Sequence, residues 1–100
     1  MTGYVGKLEP GETLQAGPYF EGPWRDFSRV PILEGQTQEF IAADVEYSIF
    51  VIEGRGVATV GAQTHTLTPG SALTVGYGAQ LSLAAGTGGL DLFVTTVKVS

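Results

Sequence analysis

Along most of the chain, apolar and polar side chains alternate in short runs broken by glycine and proline. No window places apolar residues three and four apart between capping residues, so almost no helix is expected. The runs predict the strands of an all-β sandwich or barrel. The central run is Glu46-Tyr47-Ser48-Ile49-Phe50-Val51-Ile52-Glu53-Gly54, which continues through Arg55-Gly56 into Val57-Ala58-Thr59-Val60-Gly61. It predicts an antiparallel hairpin in which residues 46–53 pair with 57–60 about the Gly54-Arg55-Gly56 corner, with a second corner at Gly61-Ala62.

Further strands are expected over residues 27–33, 37–42, 63–67, 72–75 and 80–84. Pro31 confines the first of these to an edge or a bulge, because proline donates no ladder hydrogen bond. Residues 86–89 predict a glycine-rich turn, and 90–99 form the longest β-rich run, expected to close a sheet. Tyr4 and Val5 suggest an edge strand, whereas residues 14–20 are ambiguous. Pro10-Gly11, Gly17-Pro18 and Gly22-Pro23 mark turns. Residues 1–26 therefore read as an irregular N-terminal arm laid across a barrel of residues 27–100, the whole chain 1–100 being one domain.

A hydrophobic content of 43% supplies a core, but at 100 residues the surface-to-volume ratio is unfavourable and a partner subunit would help. Without cysteine there is neither a disulfide frame nor a thiolate zinc site, which fits a cytoplasmic location. No charged stretch followed by an apolar run opens the chain, so no signal peptide is expected. No apolar run is long enough to span a bilayer. The formal net charge is −5 and the basic residues Lys7, Arg25, Arg29, Arg55 and Lys98 are scattered. Nucleic acid and anionic membrane surfaces are disfavoured as partners, since both demand clustered cations.

The succession "EYSIFVIEGRGVATVG" and then "HTLTPGSALTVGYGAQLSL" resembles the cupin superfamily over roughly residues 35–97. Val51-Ile52-Glu53-Gly54 matches the family's strand-ending Val-Leu-x-Gly-like corner, and Gly61 its following turn. Pro69-Gly70-Ser71 matches a Pro-Gly-Asp-like turn, and Val75-Gly76-Tyr77-Gly78 an Ile-Pro-x-Gly-like corner with Gly76 in place of the proline. Gly35 matches the opening glycine. The resemblance implies a small double-stranded β-helix, or jelly-roll barrel, often paired as a homodimer.

It also implies where metal ligands would stand, and this chain lacks them. Counting back seven residues from Gly54 puts Tyr47, not a carboxylate, at the acidic position. The two histidine positions fall on Ile41 and Ala43, or on Phe40 and Ala42 in a longer spacing, with Gly35 favouring the first pair. The fourth falls on Leu81. Glu46 stands one residue from the acidic position, but a one-residue slip in a strand turns the side chain to the other face. With His65 as the only histidine, a two-His-one-carboxylate site cannot be assembled within one subunit, so neither metal nor other cofactor is expected.

His65 alternates with Leu67 and would face the interior if Leu67 does, as a general base, as a ligand-recognising imidazole or as a satisfied core histidine. Tyr47 shares a face with Ile49 and Val51 and would present a phenol at the pocket floor or simply fill the barrel. Arg25 and Arg29 beside Trp24 could clamp a carboxylate or form surface ion pairs. Asp44 and Glu46, two residues apart, could divide acid and base roles but read rather as a solvated strand edge. Nucleophile elbows and phosphate loops are missing: Ser71 lies in Pro-Gly-Ser-Ala and the glycine clusters open no helix.

These residues predict a metal-free barrel that binds a small, partly apolar molecule, with Trp24, Arg29, Phe40, Tyr47, His65 and Leu81 as candidate binding residues. One alternative is a metal-independent isomerase, epimerase or cyclase using His65 or Tyr47 for proton transfer. The other is a structural accessory subunit with a filled barrel.

Overall fold

A computed structural model describes residues 6–99. Tyr4 and Val5, expected as an edge strand, lie outside the described residues. The strands are β1 (Thr13–Gln15), β2 (Trp24–Ile32), β3 (Thr37–Ile41), β4 (Val45–Val60), β5 (Gln63–Leu67), β6 (Ala72–Val75) and β7 (Gln80–Lys98). The described residues contain no helix.

The architecture is built on one long antiparallel ribbon, β4 against β7, which passes through two sheets. In the first sheet the order is β1-β2-β7-β4-β6, using residues 90–98 of β7 and 45–54 of β4. In the second the order is β3-β7-β4-β5, using residues 80–85 of β7 and 56–60 of β4. The two sheets face one another across a core that includes Ile49, Val51, Leu92 and Val94 from the first and Phe40, Leu67, Leu81 and Leu83 from the second. Each fully buried side chain of this kind contributes about 1.5–3 kcal/mol.

The ribbon corrects two turns expected from the sequence. Residues 46–53 and 57–60 do not pair as a hairpin, and Gly86 to Gly89 do not turn the chain back. Both glycine segments are bends at which continuous strands cross from one sheet to the other. The ladder skips there: Gly54 faces Leu90 while Gly56 already faces Ala85. Inward positions change parity across each bend, from Ile49 and Val51 to Ala58 in β4 and from Leu81 and Leu83 to Leu92 and Val94 in β7. Glycine is required because the bent segments touch. Gly54 sits at φ +97°, and a Cβ there would strike the Gly89 carbonyl oxygen.

The Gly61-Ala62 corner is a true hairpin between β4 and β5, closed by Val60 opposite Gln63. Gly61 has φ +59° and no non-glycine residue among the described residues has positive φ, the pattern of a two-residue loop with glycine in its first place. The arm is more ordered than the sequence suggests, because β1 pairs with β2, which starts at Trp24 rather than at residue 27. Pro31 lies beyond the last backbone hydrogen bond made by the described residues of the arm, at Arg29.

Candidate functional site

Where the edge strands of the two sheets, β5 and β6, fail to pair, a cleft of about 390 Å³ opens into the barrel. Its deep side is apolar: Ala58 and Leu67 are buried, as is Leu81, and Leu73 packs against the same core. His65 stands at the exposed side, because alternation in β5 puts it on the same face as buried Leu67. Among the described residues lining the cleft it is the only one with an ionisable side chain.

Behind Leu81 the barrel is plugged. Phe40 lies opposite Leu81 in the β3–β7 ladder and meets the Tyr47 ring edge-on, with centroids 5.4 Å apart and planes at 75°. The contact joins the two sheets and has the edge-to-face geometry favoured by aromatic quadrupoles. Tyr47 shares the inward face with Ile49 and Val51, as its spacing predicts. No buried side-chain polar atom lacks a partner among the described residues, so the half-buried phenol is not sealed off unsatisfied.

The metal positions that the resemblance implies thus fall on Phe40, Ala42, Tyr47 and Leu81. The register Phe40–Leu81 turns Phe40 and Ala42 inward and leaves Ile41 55% exposed, which corrects the alignment favoured by counting from Gly35. Three of these side chains carry no donor atom, and a lone phenol does not hold a first-row ion, so the residues present do not fit the metal. Glu46 offers no remedy. It points away from the interior, and its Oε2 accepts the Tyr77 N–H at 3.0 Å, tying down the turn after β6. No cluster of three His, Cys, Asp or Glu occurs among the described residues.

Trp24 and Arg29 lie elsewhere. The sequence offers them as binding residues alongside His65 and Tyr47; the structure puts them on the outer face of the first sheet. Trp24 stacks on Phe27 at 6.0 Å and Phe27 on Phe93 at 6.1 Å, all away from the core. Arg29 donates Nε to both carboxylate oxygens of Asp91 (3.1 and 3.2 Å) and Nη2 to Oδ2 at 2.6 Å. The hydrogen bond to Asp91 raises the guanidinium pKa above its ordinary value. Arg29 therefore already holds its carboxylate, and that carboxylate belongs to the protein. Arg25 pairs with its neighbour Asp26 at 3.4 Å. The candidate binding residues separate into a cleft pair (His65, Leu81), an aromatic plug (Phe40, Tyr47) and an outer-face pair (Trp24, Arg29). Sequence reasoning missed the outer-face aromatics Phe27 and Phe93, although each interrupts an alternation at a position expected to be polar.

Solved structures share this architecture. A cupin protein from Bacteroides fragilis superposes with a TM-score of 0.74 at 14% identity, over 100% of this chain and 85% of that one. A Cupin 2 conserved barrel domain protein from Salinispora arenicola gives 0.73 at 13% identity, over 88% of this chain and 74% of that one. Ectoine synthase from P. lautus gives 0.67 at 19% identity, over 73% of this chain but only 53% of that one. No protein-family model and no curated protein sequence matches the chain. The likeness is one of fold: the chain has the cupin barrel.

Proposed function

We propose that this cupin-fold protein binds a small, partly apolar molecule in the cleft between β5 and β6, with no metal taking part. The observation that carries this reading is the make-up of the cleft. Buried Leu67 and Leu81 offer apolar surface that water solvates poorly, and one imidazole stands beside it. A neutral imidazole presents one donor and one acceptor, enough to orient a ligand bearing a carbonyl, hydroxyl or amide. A volume near 390 Å³ suits a molecule at the small end of the ligand range. The plug of Phe40 and Tyr47 limits how deep it reaches.

Proton-transfer catalysis by His65 or Tyr47 has less support. Among the described residues no second ionisable side chain lines the cleft to orient the imidazole, and Tyr47 is not among the lining residues. The shared fold does not decide between binding and catalysis, since one fold serves many chemistries.

A thermal-shift screen of small neutral and monoanionic compounds tests the proposal. Compounds that stabilise the wild type should lose their effect on His65→Ala and keep it on Tyr47→Phe. Responses that survive His65→Ala undiminished would show that the cleft is not the site.

A further inference from the structure

A half-buried sheet needs only one apolar face. The first sheet has two. On the side away from the core, Phe27 of β2, Phe93 of β7 and Ile52 of β4 form an apolar floor. Leu8, Leu14 and Phe20, contributed by the arm, line the same cavity, which has a volume of about 640 Å³. Phe20 remains 45% exposed, so the arm does not simply bury this face.

The wall is fastened in place. The Arg29 backbone accepts the Gly11 N–H at 2.7 Å and donates its own N–H to Glu12 at 2.9 Å. Its side chain donates Nη1 to the Leu8 carbonyl at 3.0 Å. The same guanidinium reaches into the cavity lining but is neutralised by Asp91. An incoming anion would meet a cation already paired and a carboxylate beside it. The remaining cation of the lining, Lys7, stands outward with 80% of its side chain exposed and Glu9 at 3.7 Å.

We propose that this outer-face cavity is a second binding site, separate from the β5–β6 cleft, for a neutral, apolar, ring-bearing molecule. The near-parallel Phe27 and Phe93 rings, inclined by 23°, suit a flat aromatic or alicyclic guest. The volume lies well inside the range of small-molecule pockets. The concavity raised by the arm fits a compact guest better than the flat face of another sheet.

The test uses the whole chain and N-phenyl-1-naphthylamine, a neutral probe that fluoresces on leaving water. Saturable binding of one probe per chain is expected, with nuclear Overhauser contacts to the ring protons of Phe27 and Phe93 in the wild-type protein. Phe93→Gln should weaken binding about tenfold, from lost apolar contact. The sulfonated analogue 8-anilinonaphthalene-1-sulfonate should bind more weakly than the neutral probe, and Asp91→Asn, which unmasks the Arg29 charge, should narrow that gap. Contacts to Leu67 and Leu73 instead, or no saturation, would overturn the proposal. So would affinity that falls as protein concentration rises while sedimentation reports a dimer, because a second copy would then cover the face.

Discussion

The inside of the barrel and a patch on the outer face of its first sheet are both apolar, yet for different reasons. Inside, Leu83, Leu92, Ile49 and Val51 are almost wholly removed from water, and their burial holds the sheets together. Outside, Phe50 stays 47% exposed and Trp24 39%, so these side chains leave much apolar surface in water. Apolar residues inside report on folding. Apolar residues outside, on a sheet that does not need them there, are the basis of the second binding site proposed above.

Substitutions can break this distinction. The largest effect is expected from Leu92→Ala, at 0% exposure: a loss of about 2–5 kcal/mol in urea unfolding. A loss under about 1 kcal/mol would mean that the interior is loosely filled. Gly54→Ala should cost about 1–3 kcal/mol, from its positive φ and its approach to Gly89. A neutral result there would show that the bend relaxes easily. Phe50→Ser should cost only about 1 kcal/mol, because 47% of the residue is already in water. A large loss would move Phe50 from the second group to the first.

Much of the fold was legible because alternation is local. Tyr47, Ile49 and Val51 announce a shared face within five residues of sequence, and the structure keeps it. The two bends were not legible. Gly54-Arg55-Gly56 and the glycines at 86–89 read equally well as turns, and what separates a turn from a bend is the partner. Gly54 lies opposite Leu90, far along the chain, and Val57 pairs with Ala84 rather than folding back on Phe50. The same non-locality explains Ile41 and Phe40. Counting from Gly35 measures distance along the backbone, whereas the face is decided by the register with Leu81. For the site, the missing metal donors could be read directly from residue types. The outer cavity could not, since it needs the arm, β2, β4 and β7 brought together.

The ribbon also has a consequence for how the protein is made. Residues 80–98, the last strand described, occupy interior places in both sheets, between β2 and β4 in one and β3 and β4 in the other. While a ribosome is still synthesising residue 79, β3 has no strand to lie against, and β2 has only the short β1. The nascent chain can pair β4 with β5 and β6, but neither sheet can be completed until β7 emerges, and a premature stop ahead of Gln80 would release a polypeptide with open sheet edges and no finished core, a ready substrate for chaperones and proteases.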